Sequence, residues 1–314
     1  LALTLSAFLL NTSEFVPIGL LTDIAGAFSL SESGAGLMVS IYAWAVALLS
    51  LPLMIAASRI SPKALIVCVL AVFAAGQVGS AVAPTFELLV ASRLVVAAAH
   101  AIFWSVASPF AVRVAAPERT SLAMSMIVTG TSIAMIFGLP LGRALGIALG
   151  WRMTFVCVAA AALLALLALL AFFPRLKKSE PFTLSRLPEL AHNRPLVGLY
   201  LATILYATGY YTGYSYIEPF LQQVAQVPDV LITAALTIFG VAGLAGSWLF
   251  ARFFDGHRRA FLSAAMIGVS AALFILLPLA GWLIGPLVTC VVWGISATAF
   301  NVAAQAEVIR ITSE

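Results

Sequence analysis

The chain has 314 residues, 63% of them apolar and only 9% charged, with a formal net charge of +4. A soluble domain carries about 25% charged residues, because its surface must hold charge to stay in water. The composition therefore excludes an ordinary soluble protein and points to a bilayer as solvent, with the small positive excess reading as membrane topology and not as nucleic-acid binding.

A spanning helix needs about 20 mostly apolar residues. Ten segments meet that length, at 1–22, 33–57, 63–83, 86–110, 120–146, 150–173, 195–221, 229–253, 260–281 and 284–309. The first opens at Leu1 with no basic region ahead of it, and so reads as a span and not as a signal peptide. Prolines stand at segment ends, at Pro62, Pro84, Pro117, Pro174, Pro195 and Pro228, where a missing backbone N–H costs least. The longest polar stretch, 174–194, follows the sixth segment. Within it Leu184, Leu187 and Leu190 interleave with Arg186 and Glu189, which predicts a short interfacial helix. Six segments (1–173), a basic linker (174–194) and a further group (195–314) make two halves. A second half of six requires two helices beyond Glu314, so the chain is expected to be a fragment.

The basic residues assign sides. Arg59 and Lys63 follow the second segment, Arg113 and Arg119 the fourth, and Arg252, Arg258 and Arg259 the eighth. Arg175, Lys177, Lys178, Arg186 and Arg194 lie in the linker, and Arg310 follows the tenth segment. The opposite loops carry Asp23, Glu32, Glu87 and Asp229. Lys/Arg excess marks the cytoplasmic side, which predicts a cytoplasmic N-terminus.

Few ionisable groups fall well inside the segments: Glu14, Arg93 and His100, with Arg143, Glu218 and Glu307 nearer the ends. Such groups are costly in a bilayer and are functional candidates by default. Glu14 and Arg93 lie at equal depth, roughly 10 Å below the outer surface at 1.5 Å per residue, which allows an ion pair if their helices face one another. A carboxylate held between a nearby arginine and burial can change charge as the site opens to one side or the other. His100 lies two turns deeper, shares a face with Arg93 and Trp104, and titrates in the working range with an ordinary pKa of about 6.5. The alternatives are a fixed structural pair and a packed histidine.

Polar residues form one face on each of four segments. These are Thr4, Asn11 and Glu14; Arg93, His100, Trp104 and Ser108; Thr203, Tyr210, Tyr214 and Glu218; and Thr298, Asn301 and Gln305. Gly130, Gly138 and Gly142, and Gly240, Gly243 and Gly246, are small-residue faces that allow close helix approach. Pro140 predicts a kink. Cys68, Cys157 and Cys290 lie in apolar runs, so neither a disulfide framework nor a metal site is expected. The chain carries no HExxH pattern and no phosphate loop. It is read as a non-enzyme with no cofactor, not powered by ATP.

Several runs together resemble a known family. They are Asn11-Thr-Ser-Glu-Phe-Val-Pro-Ile-Gly19 with Leu20-Leu-Thr-Asp-Ile24, Ala99-His-Ala-Ile-Phe-Trp-Ser105, Gly138-Leu-Pro-Leu-Gly-Arg143, Gly150-Trp-Arg-Met-Thr-Phe155 and Tyr214-Ser-Tyr-Ile-Glu-Pro219. The chain resembles the bacterial sugar efflux transporters of the major facilitator superfamily, in its drug:proton antiporter-like branch. The resemblance implies an all-α membrane fold of twelve helices in two six-helix halves, and an alternating-access cycle. It also implies proton-driven export of arabinose-like sugars and thiogalactosides across the bacterial inner membrane, by a protein taken as a monomer. In that fold the first, fourth, seventh and tenth helices line the central cavity, the same four that carry the polar faces. A sugar needs aromatic surfaces for its C–H face and amides or carboxylates for its hydroxyls. Asn11, Glu14, His100, Trp104, Tyr210, Tyr214, Asn301 and Gln305 are the candidate substrate-binding residues, with Glu14, Arg93 and His100 as candidates for proton coupling. Gly138, Pro140, Gly142, Gly240 and Gly243 are candidates for packing and pivoting, and Arg59 and Lys63 for the loop after the second helix. That loop usually reads Gly-x-x-x-Asp-Arg-x-Gly-Arg-Arg/Lys in the superfamily. Here it runs Met54-Ile-Ala-Ala-Ser58-Arg59-Ile-Ser61-Pro62-Lys63, keeping both cations but not the acid, which argues against a charge lock built on that acid. The fourth helix keeps only the arginine, Arg93, of the usual Arg-x-x-Gln-Gly. A multidrug antiporter and a non-transporting membrane receptor or scaffold are the competing readings.

Overall fold

The structure is a computed structural model and describes residues 1–116, 119–174, 176, 192–282 and 284–313. Among these residues all regular structure is helical. The elements are α1 (Ala2–Gly19), α2 (Leu21–Ala27), α3 (Glu32–Ala57), α4 (Pro62–Val82), α5 (Phe86–Val114), α6 (Thr120–Leu149) and α7 (Trp151–Phe172). They continue with α8 (Arg194–Ser215), α9 (Ile217–Pro219), a π turn (Phe220–Val224), α10 (Asp229–Phe253), α11 (Arg258–Leu276) and α12 (Ile284–Ser313). The interfacial helix expected around Leu184–Leu190 lies outside the described residues.

Among the described residues, eight helices are long and apolar enough to cross a bilayer, or nine if α1 and α2 count as one broken span. The remaining expected span, 195–221, corresponds to α8, which is long enough but diluted by tyrosine, threonine and glycine. The protein is thus a multi-pass membrane protein of the expected all-α class. Large apolar side chains stand exposed on the helices, among them Phe172, Phe274 and Trp44. A lipid solvent accepts that surface, because helices satisfy their own backbone polar groups and need no water on the outside.

Two expected spans are interrupted, each within a few residues of a proline. The 1–22 segment bends by 64° between α1 and α2, at Leu20 (φ −125°, ψ 19°). Pro17, one turn earlier, removes the N–H that the Ser13 carbonyl would accept and loosens the last turn of α1. The 195–221 segment stops at Ser215, the residue whose carbonyl would need the amide hydrogen of Pro219. The chain then resumes as α9 and widens into the π turn. By contrast, α6 runs helical through Pro140.

The chain divides into two compact units, Leu1–Phe182 and Thr183–Glu314. In the first, α1 packs most extensively on α6, α4 on α7 and α5, and α3 on α5. Apolar packing is no net driving force between helices in lipid, so the α1–α6 contact depends on close approach. A Cβ on Gly138 would lie 3.1 Å from Thr12 Cα, and one on Gly142 only 2.7 Å from Val16 Cγ2. In the second unit α12 packs on α10 and α11. There Gly243 sits against the Thr298 hydroxyl, and Gly240 is buried in the same helix.

Candidate functional site

The site in the first unit starts from a run of polar residues in an apolar helix. Asn11, Thr12 and Ser13 of α1 are buried, and Glu14 keeps 29% of its side-chain surface. Asn11 turns its amide back to its own helix, donating to the Ala7 carbonyl at 3.3 Å. Pro17 leaves the Ser13 carbonyl without its intrahelical donor, and a buried carbonyl without a partner is costly. Arg93 of α5 supplies the missing hydrogen. Its Nη2 donates to the Ser13 carbonyl at 2.9 Å and its Nη1 to the Ser13 hydroxyl at 3.0 Å. Gln77 of α4 donates to the same hydroxyl. The guanidinium is stacked 4.7 Å from the Tyr42 ring centroid and 5.9 Å from that of Phe155. Side chains of α4 and α5 therefore converge on Ser13, where Pro17 costs α1 a hydrogen bond.

One residue further, Glu14 faces His100. Its Oε2 lies 3.8 Å from His100 Nε2. The other ring nitrogen, Nδ1, is 2.9 Å from the Tyr42 hydroxyl. When Tyr42 donates to Nδ1, the neutral imidazole carries its proton on Nε2, directed at the carboxylate. Glu14, His100 and Tyr42 thus form a line of three ionisable groups drawn from α1, α5 and α3. Trp104, one turn along α5, closes the line with its ring 6.1 Å from that of His100. The ion pair that equal depth allows between Glu14 and Arg93 is not what forms. Arg93 is committed to Ser13 because Pro17 opens that carbonyl, and the carboxylate turns to the histidine.

Arg143 acts similarly at the break. Its Nη1 donates to the Gly19 carbonyl at 3.2 Å, where α1 ends and the next helix has changed direction. Lys63 Nζ donates to the Leu170 carbonyl in the last turn of α7 at 2.8 Å, a favourable place for a cation at a helix end. Arg59 stands exposed in the turn before α4.

In the second unit, α8 presents Tyr206, Tyr210 and Tyr214 at four-residue spacing as a stacked ladder, with centroids 5.9 and 5.3 Å apart. Phe300 of α12 stacks on Tyr206 at 3.8 Å. The fully buried Trp293 meets Tyr210, Tyr214 and Phe239 edge-on. Asn301 and Gln305 are exposed on α12 and hydrogen-bonded to each other. Glu218 is buried just after the break that ends α8. Glu307 pairs with Arg310 through two hydrogen bonds of 3.1 and 2.5 Å.

The structure therefore joins Glu14, His100 and Trp104 directly, with Arg93 connected through Ser13. It adds Tyr42, Gln77, Tyr206 and Trp293, which the polar stripes did not select. Gln77 carried a readable signal as an amide in the apolar run of α4; Tyr42 carried none. Among the described residues no three His, Cys, Asp or Glu side chains come together as a metal ligand set.

Residues 3–313 match the family model described as Major Facilitator Superfamily. The fold is similar to a bacterial homolog of the human lysosomal transporter Spinster in an inward-facing, unoccupied conformation. That match has a TM-score of 0.73 and 19% identity, over 99% of this chain and 77% of the other. It is also similar to a D-xylose–proton symporter, with a TM-score of 0.69 and 16% identity over 96% and 80% of the two chains. A peptide transporter in complex with alafosfalin gives 0.71 and 12%, over 98% and 81%.

Proposed function

The chain belongs to the major facilitator superfamily, and on that premise we propose that it exports sugars and sugar analogues, such as arabinose and thiogalactosides, in exchange for protons. The observation that carries the reading is the Glu14–His100–Tyr42 line, set deep in membrane-spanning helices. A buried carboxylate beside an imidazole is a costly arrangement in lipid and supplies a group that can take and give a proton. In this reading Glu14 and His100 couple proton movement to transport. Arg93 holds α1 in the geometry that aims Glu14 at His100. The candidate substrate-binding residues are Asn11, Glu14, His100 and Trp104 in the first unit, and Tyr210, Tyr214, Asn301 and Gln305 in the second. Two six-helix halves joined by the 174–194 linker alternate access, in a monomer of the bacterial inner membrane with a cytoplasmic N-terminus. Substrate enters from the cytoplasm, and proton binding from outside drives the return.

Protein reconstituted in liposomes tests the proposal. An imposed pH gradient is expected to drive arabinose or thiogalactoside flux, and Glu14→Gln is expected to leave a flux that no longer follows the gradient. Flux indifferent to the gradient in the unaltered chain removes the coupling. A multidrug antiporter is the second reading, and the aromatic ladder of Tyr206, Tyr210 and Tyr214 with Trp293 and Phe300 favours it. Aromatic cations that outcompete sugars for transport decide for that reading.

A further inference from the structure

We propose that the groove between the first turns of α4 and the last turn of α7 holds an anionic phospholipid. The groove has a volume of about 340 Å³ and is lined by Ser61, Lys63, Ala64, Val67, Leu170 and Leu176. Its chemistry is split by depth. Ser61 and Lys63 stand at the start of α4, where the helix enters the bilayer. Val67 lies further in, roughly 9 Å along the axis from Ser61 and about 6 Å from Lys63, and with Ala64, Leu170 and Leu176 it makes apolar walls.

The mouth carries positive charge that no acidic side chain among the described residues neutralises. Lys63 donates one hydrogen to the Leu170 carbonyl at 2.8 Å. That bond holds the ammonium at the groove and leaves two of its three N–H groups for another acceptor. Arg59 is exposed in the turn just before. Among the described residues neither cation has an acidic partner. Ser58 adds no negative charge, and its hydroxyl donates to the Ile55 carbonyl. The Ser61 hydroxyl makes no capping bond to its own helix.

These features select one occupant. A soluble anion would leave the apolar walls unused. A lipid without net negative charge would leave the cations without a counter-charge. A phospholipid with an anionic headgroup uses both, placing its phosphate at Lys63, Arg59 and Ser61 and an acyl chain along Val67 and Leu170. Cation pockets between spanning helices at a membrane surface take such headgroups. The inference rests on the membrane fold and is independent of what the protein transports.

Native mass spectrometry of the full chain, released from micelles with equal phosphatidylglycerol and phosphatidylethanolamine, tests it. Phosphatidylglycerol is expected to be retained in preference. Lys63→Gln is expected to lower that retention roughly fivefold, and Lys63→Gln with Arg59→Gln further, at the strength of one surface cation each. Lys63→Arg should retain the lipid. Val67→Trp keeps every charge but fills the slot, and is expected to lose the lipid as well. Ala64→Phe, at an exposed position, makes the same test if Val67→Trp does not fold. Equal retention of the two lipids overturns the proposal. Retention unchanged in both wall variants also overturns it, since it would reduce the effect to charge adsorption at the membrane surface.

Discussion

At the residue scale, the arrangement turns on Pro17. A proline inside a helix removes one hydrogen bond and leaves one carbonyl to be satisfied from elsewhere. Here that carbonyl belongs to Ser13, and Arg93 reaches it from another helix at 2.9 Å. Arg93→Met should therefore destabilise the protein by about 1–3 kcal/mol, the cost of leaving a buried acceptor unpaired. Pro17→Ala returns an N–H to the same carbonyl. It should stabilise the Arg93→Met variant more than it stabilises the unaltered chain, a coupling read from thermal unfolding of the four proteins in one detergent. Equal gains in both backgrounds would mean that Arg93 does not replace the missing amide. The sequence marks Glu14, Arg93 and His100 because charge in an apolar run is rare. It does not say which of them meet. Equal depth suggests Glu14 with Arg93, but the pairing is decided by a backbone bond that Pro17 deletes, and side-chain spacing does not record that. Tyr42 was illegible for a similar reason. A single tyrosine on a lipid-exposed helix has no pattern, and only its 2.9 Å approach to His100 gives it a role.

At the element scale, length and hydropathy were enough to place most helices within a turn of where they are found. A run of apolar residues in a bilayer has few alternatives to a helix. The breaks were harder to read. Pro17, Pro140 and Pro219 look alike in sequence, yet α1 and α8 end near theirs while α6 continues through Pro140. Near Pro17, Arg93 and Arg143 supply donors to the freed carbonyls of α1. The tight α1–α6 seam gives a direct test of packing. A side chain at Gly142 has to displace Val16, whose Cα is 3.3 Å from the added Cβ. Gly142→Leu should cost about 1–3 kcal/mol through overpacking. Gly198→Ala, with nothing within 4 Å of the new methyl, should be neutral or slightly stabilising. Similar melting temperatures for the two variants would contradict the seam.

At the scale of the whole molecule, composition already excludes a soluble protein, and the order of segments suggests two halves. The family match over residues 3–313 agrees with that reading of the fold. Substrate is the least legible property, because aromatic and amide faces suit a sugar and many other small molecules. The second unit illustrates this. Its tyrosines are stacked on one another, while Asn301 and Gln305 bond to each other. Neither arrangement singles out a hydroxyl pattern. Proton coupling is the more specific claim, since it rests on one carboxylate and one imidazole 3.8 Å apart. It is tested most directly by proton release from purified protein in weakly buffered detergent solution when a thiogalactoside is added. The account predicts release by the unaltered chain and none by Glu14→Gln at the same ligand occupancy. Equal release by both proteins, or ligand binding without release in the unaltered chain, would contradict it.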